Sequence, residues 1–359
     1  METDNNSWER TLESAAPFRR SMGMNVTIQI TIQKSSIPII WLDTSIISYM
    51  TQWKHKIGRL NQAILNRVSK LYNQIYDSTR GGKLICPLAE QEAEIWVERD
   101  KWLDTMHSLT FGIVTAGRQS VHDKQFSAFM TAYVQRQNEV RLDYKDAFLA
   151  DPVEDLKVAS KGPVYVYVKS PILFGEDYAK NQKKTLLNSL NEQRKKNVGS
   201  KIGFEEQLEA EYRGELQALL ILKNQFLAGQ FKDEHEQMNA VFGAINLTQQ
   251  LRIWEECSGK ANDFHGLVQF YKSQHYRSMP HTDISCNLTA KLMIDKQDIR
   301  SGDNMDINHV STLMPYSDLF ITDKAMSTFL RRKKFDKKYN TKICYIGDTQ
   351  DIDSFFAVL

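Results

Sequence analysis

The chain has 359 residues, 42% hydrophobic and 25% charged, with a formal net charge of +2. That length suffices for one large or two ordinary domains with a well-buried core, and the composition is that of an ordinary soluble globular protein. The apolar runs are too short for a membrane span, residues 1–35 show no signal-peptide core, and a charge of +2 does not by itself argue for a polyanionic partner. Four cysteines, Cys86, Cys257, Cys286 and Cys344, stand far apart, which speaks against a zinc knuckle or a disulfide framework and fits a reducing cytoplasm.

The first 24 residues lack periodicity and read as a loose extension. From Val26 to Gln33, isoleucines and Val26 alternate with polar residues, the period of a half-buried strand. Ile37 to Leu42 is a continuous apolar run, the pattern of a strand buried on both faces, and it stops at Asp43. From Ser45, which is placed to cap a helix start, apolar residues recur in three- and four-residue steps to Ile75. That stripe predicts one long or two consecutive amphipathic helices, ended by Gly81-Gly82. Lys83 to Pro87 reads as a short strand, and a helix opening with Glu90, Glu92 and Glu94 runs on through Trp102 and Met106.

Residues 115–279 have a different character. They are mostly helical in pattern and include the lysine-rich stretch 180–196, read as a solvated face, and an amphipathic helix from Phe204 to Phe226. Val164 to Val168 reads as a strand between Pro163 and Pro171. Alternating strands and helices resume with a helix from Pro280 through Met293 and a second that contains Asp303, Asp306 and His309 and ends at Pro315-Tyr316. A strand over Leu319–Thr322, a helix over Lys324–Arg332 and a last strand over Thr341–Ile346 follow. This order implies a mostly parallel sheet. The chain therefore divides into an N-terminal extension (1–35), the first half of an α/β domain (36–114), a mainly helical insertion (115–279) and the second half (280–359).

Asp43 and Asp323 each terminate an apolar strand, and Asp303, Asp306 and Asp318 lie close to the second in sequence. Open α/β folds build their sites at the C-terminal edge of the sheet. Carboxylates gathered there repel one another unless a cation sits among them, and hard oxygen ligands select Mg²⁺ or Mn²⁺. The first expectation is a metal-dependent phosphodiesterase.

In their order, these pieces resemble the PIN family of nucleases: Leu42-Asp43-Thr44-Ser45 after a strand, a glutamate following Cys86-Pro87, Asp306 early in a late helix, and Thr322-Asp323-Lys324 closing the next strand. The resemblance covers roughly residues 36–112 and 280–359. It implies a three-layer α/β/α sandwich interrupted by the helical insertion. It further implies hydrolysis of phosphodiester bonds in RNA or single-stranded nucleic acid, with Asp43, Glu92, Asp306 and Asp323 as catalytic metal ligands. Glu90 and Glu94 share a helical face from which Glu92 points away, and both remain alternatives to it. Asp303 and Asp318 ligate through water or cap the flanking helices. Ser45 either adds a hydroxyl to the metal site or supports it, and His309 either contacts phosphate or packs. Lys324, Arg331 and Arg332 read as phosphate contacts or as a helix end suited to its dipole. The insertion offers a surface for a protein partner or a second copy. Two rival readings stand beside the nuclease: a non-catalytic nucleic-acid-binding scaffold of the same fold, and a small-molecule phosphohydrolase.

Overall fold

The computed structural model describes residues 27–89, 91, 98–159, 176–229, 231, 234–300 and 302–359. The expected strand at 164–168 and residues Glu90, Glu92 and Glu94 lie outside the described residues.

In chain order the elements are β1 (Gln29–Gln33), β2 (Ile40–Leu42), α1 (Thr44–Lys54), α2 (Gln62–Arg80), α3 (Arg99–Thr110), α4 (Arg118–Val134), β3 (Glu139–Asp143) and α5 (Pro152–Ala159). There follow α6 (Glu176–Gly199), α7 (Phe204–Ala228), α8 (Glu234–Ser258), α9 (Phe264–Tyr271), α10 (Gln274–Ser278) and α11 (Pro280–Ile294). The chain closes with α12 (Asp303–Leu313), β4 (Leu319–Thr322), α13 (Lys324–Arg332), α14 (Phe335–Lys338), β5 (Lys342–Tyr345) and α15 (Thr349–Phe356). The fold is mixed α/β with two small parallel sheets.

The principal sheet runs β2-β4-β5, all parallel. Single bridges continue it beyond β2, where Ile39 pairs with Ile85 and Leu88 with Val114, both parallel, and Thr115 pairs with Phe148 antiparallel. The expected strand at 83–87 is thus reduced to isolated bridges. Pro87 has no N–H to give, so the ladder breaks between the bonds from Ile85 N to Pro38 O and from Leu88 N to Ile113 O. In the second sheet, β1 pairs with β3 from Gln29↔Glu139 to Gln33↔Asp143.

Because strand side chains alternate, the principal sheet feeds two cores. Ile40, Leu42, Leu319, Ile321 and Cys344 face one core, filled by Ile46, Ile47 and Met50 of α1, Val68, Leu71 and Ile75 of α2, and Trp102 and Met106 of α3. Ile39, Trp41, Phe320 and Ile343 face the other, against Phe126 and Phe129 of α4, Ile284 and Leu288 of α11, and Val310 of α12. Trp41 and Phe320 stack across β2 and β4 with centroids 4.7 Å apart. Leu216 of α7, Leu247 and Trp254 of α8 and Phe270 of α9 belong to this same second core, so the helices of 115–279 are built onto the sheet and share its interior. Among the described residues no helix is long and apolar enough to cross a membrane.

The predicted 45–75 stripe is two helices. Asn61 caps the second through Ile64 N, and Gly82, at φ +67°, follows its end in a conformation that favours glycine. The cap of the first is Asp43, not Ser45: the Ser45 amide is the donor and Asp43 Oδ1 the acceptor, at 2.8 Å. A serine at the second helical position is already inside the turn that needs the cap.

Candidate functional site

The C-terminal edge of β2 and β4 brings two of the expected acids together. These strands are paired in register, with Leu42 opposite Ile321, so each emits an aspartate at the same end. The amide of Asp43 donates to Ile321 O at 2.9 Å, and the Thr322 hydroxyl donates to Asp43 Oδ2 at 2.7 Å. Asp43 is therefore held from both sides, one oxygen on the first turn of α1 and the other on the neighbouring strand, and it is 5% exposed. Asp323 is exposed and caps α13, its Oδ1 accepting from Ala325 N at 2.6 Å and Met326 N at 3.0 Å. Each aspartate thus sits at the N-terminal end of a helix and accepts from its first-turn amides.

A third segment reaches this edge. Gln91, 1% exposed, donates from Nε2 to Leu42 O at 2.8 Å and accepts from Ala89 N through Oε1. It locks the chain after Pro87 against the residue preceding Asp43. Three buried polar groups nearby in the fold lack hydrogen-bond partners: the Ser45 hydroxyl, the Trp41 indole N–H and both ring nitrogens of His309. The His309 ring lies 5.8 Å from that of Trp41, tilted by 51°. Burial pushes its pKa down to about 4, so it is a neutral imidazole at physiological pH.

Asp303 and Asp306 occupy the first turn of α12, both half-buried, and Asp303 Oδ2 accepts from Arg300 N. Asp303 is thus tied to the turn that precedes its own helix, whose start carries no side-chain cap. Asp318 lies elsewhere. It precedes β4, so the length of the strand separates it from Asp323, roughly 16 Å at about 3.3 Å per residue. There it accepts from Ile39 N at 2.8 Å and stands beside Lys34, whose ammonium donates to Pro315 O and Ser317 O. Burial raises the Asp318 carboxyl against those two partners, and burial lowers Lys34 to about 8.

Of the expected phosphate contacts, Lys324 opens α13 next to Asp323, its ammonium 5.8 Å from the Tyr345 ring. Arg331 and Arg332 end the same helix, roughly 12 Å along its axis. Arg331 bridges to Asp348 at 3.0 Å, and Arg332 lies over Phe329. Their backbone positions suit the negative helix end, and the Arg331 side chain reaches back to Asp348, which follows β5 at the C-terminal edge of the sheet. Among the described residues no three of His, Cys, Asp and Glu are grouped to hold a metal ion.

Reasoning from sequence missed Thr322 and Gln91. Thr322 sits at the end of a strand run, where a β-branched residue passes as packing, and nothing in the sequence marks Gln91 as different from its glutamate neighbours. Comparison with protein-family models, with curated proteins and with solved structures found no match.

Proposed function

We propose that this chain is a PIN-like nuclease that hydrolyses phosphodiester bonds of RNA or single-stranded nucleic acid with Mg²⁺ or Mn²⁺. The observation that carries the reading is spatial order. Taken in sequence as first to fifth, the parallel segments at 39–42, 85–88, 113–115, 319–322 and 342–345 lie side by side as third, second, first, fourth, fifth. The order reverses at the central segment, 39–42, and Asp43 and Asp323 leave the sheet there on adjacent strands. A topological switch point is where open α/β sheets place ligands. Helices against both faces of this sheet agree with a three-layer sandwich.

The donor chemistry suits a hard cation in part. Asp43 uses one lone pair on each oxygen, and the bonds to Asp323 fall on Oδ1, so both carboxylates retain acceptor capacity. Asp43 and Asp323 would hold the ion, with Asp306 and a glutamate from the segment around Gln91, Glu92 first, completing the set. Such an ion supplies charge neutralisation and an activated water. The protein's own part is to fix Asp43 through Ser45 N and Thr322 and to offer Lys324 to a backbone phosphate. Exposed Ile221, Leu227, Phe242 and Ile245 on α7 and α8 support a protein partner or a second copy at that end of the helical layer.

One observation favours the non-catalytic scaffold as a second reading: Asp43 and Asp323 both serve as helix caps, which accounts for them without a metal. Incubating labelled single-stranded RNA and DNA with the protein in Mn²⁺, Mg²⁺ or EDTA, beside D43N and D323N, separates the two. The nuclease reading expects cutting that EDTA and either substitution abolish. Retention of the strands without cutting under every metal would establish the scaffold instead.

A further inference from the structure

Away from the acidic edge, a cleft of about 200 Å³ opens between α7 and α11. Its walls carry Glu211 and Glu215, one helical turn apart on α7, and His281, Thr282, Ser285 and Cys286 on α11. Apart from a tyrosine, Tyr276, a threonine and one glycine, that is the whole lining, so the cleft is polar and rich in acceptors.

Two of its groups are unsatisfied. Thr282 is 2% exposed and its hydroxyl has no partner; His281 Nε2 is buried and has none either. Native interiors rarely leave such groups unpaired, so a polar partner at this cleft would satisfy them. Burial, with the charges of His122 and Arg118 beyond it, holds the His281 pKa well below the usual value, so the ring is neutral and offers an acceptor nitrogen.

The cleft is also electronegative. Glu215 accepts from the Tyr276 hydroxyl at 2.6 Å and from Gln250 at 3.2 Å, and Glu211 accepts from Gln207; neither is matched by a lysine or arginine among the described residues. The Tyr271 hydroxyl stands 3.5 Å from Glu215 Oε1 and His122 Nε2 3.8 Å from it. Arg277 and Lys338 nearby are committed to Glu209 and Asp283. Burial raises the Cys286 thiol at the cleft, and the nearby Glu211, Glu215 and Asp283 raise it further. Half-buried carboxylates with no lysine or arginine paired to them are costly, and a bound cation relieves that cost.

Gly214 lies on α7 between the two glutamates and lines the opening. Glycine is the poorest residue but proline for a helix interior. No neighbour requires it here, because a Cβ at 214 would meet nothing within 4 Å. Its effect is to leave the mouth of the cleft open.

We infer that this cleft binds a small organic cation, an alkylammonium or guanidinium compound, whose N–H groups are taken by Glu211, Glu215 and His281 Nε2. Oxygen and nitrogen acceptors around a slot of this size suit a primary amine on a short chain.

Isothermal titration of putrescine and of agmatine into the full-length protein tests this, beside Glu211→Gln and Gly214→Leu. Glu211→Gln keeps the shape and removes the charge, and Gly214→Leu fills the mouth while favouring the helix, so both should fold; urea midpoints check that. Saturable binding of at least one probe, weakened tenfold or more by Glu211→Gln and lost in Gly214→Leu, is the expected result. Failure of both probes to bind, or wild-type affinity in either variant, would overturn the inference. So would Zn²⁺ binding that both variants lose while the amines give no heat.

Discussion

Asp43 carries two structural loads beside any chemistry, the cap of α1 and the tie to Thr322, and these fix how it can be tested. Replacing it with alanine removes the cap, worth about 1 kcal/mol, and strands a buried hydroxyl at about 1–3 kcal/mol, so urea unfolding of Asp43→Ala should show a loss of about 2–4 kcal/mol. Asp43→Asn keeps an oxygen for the Ser45 amide and should lose much less, which makes it the variant for activity work. His309 gives a pH signature. Its folded pKa of about 4 lies below its unfolded value near 6.5, so the unfolded chain binds more protons between the two. Stability therefore falls as pH drops through that window, by up to about 3 kcal/mol from this residue. The lowered His281 acts in the same direction, whereas the raised Asp318 carboxyl acts oppositely just above its usual pKa. Urea midpoints between pH 4 and 7 should thus slope less steeply in His309→Phe, and an unchanged slope would contradict the buried neutral imidazole. Asp43 and Asp323 were legible in the sequence because each ends an apolar run. Their supports were not, since Thr322 lies 279 residues from Asp43 along the chain and only the fold makes them neighbours.

At the scale of elements, α13 separates two kinds of basic residue that look alike in sequence. Lys324 opens it at the acidic edge, while Arg331 closes it in a bridge to Asp348. Fluorescence-anisotropy titrations of single-stranded RNA with the Asp43→Asn protein should show weaker binding and a shallower salt dependence in Lys324→Ala and little change in Arg331→Ala. Arg331→Ala should instead cost stability, by no more than about 1 kcal/mol, as a partly exposed ion pair does. Equal losses of RNA binding would place the phosphate path along the whole helix. Periodicity made α1, α2, α7 and α11–α13 readable because each must bury one stripe. The segment around Pro87 was not readable as it stands, because an apolar pentapeptide predicts a strand while the missing N–H of Pro87 breaks its ladder. Capping was misplaced at Ser45 for a related reason: serine and aspartate are both good caps, and two residues of register decide between them.

For the whole molecule, the division into an α/β domain and a helical insertion is a division of sequence and not of core. Leu216, Leu247, Trp254 and Phe270 of the inserted segment pack in the same interior as Trp41 and Phe320 of the sheet, and β3 of that segment pairs with β1. Deleting 115–279 removes α4 and α7–α9 from the core on one face of the sheet and leaves α11 and α12 without those packing partners, so such a chain should show no cooperative urea transition by circular dichroism. The intact chain should unfold with coincident fluorescence and circular-dichroism transitions. A folded deletion product would show the insertion to be dispensable. The alternation of strands and helices disclosed the parallel sheet, since parallel neighbours need crossovers. What covered its second face was hidden, because amphipathic stripes on α7 and α8 do not say which sheet they pack on. On the proposed reading, Asp43 and Asp323, at the ends of adjacent strands, would hold a divalent ion. Calorimetric titration of Mn²⁺ into the wild-type protein and into the Asp43→Asn, Asp323→Asn double variant tests it most directly. Saturable binding by the wild type that weakens at least tenfold in the folded double variant is expected; equal affinity in both, or no binding by the wild type, would contradict it.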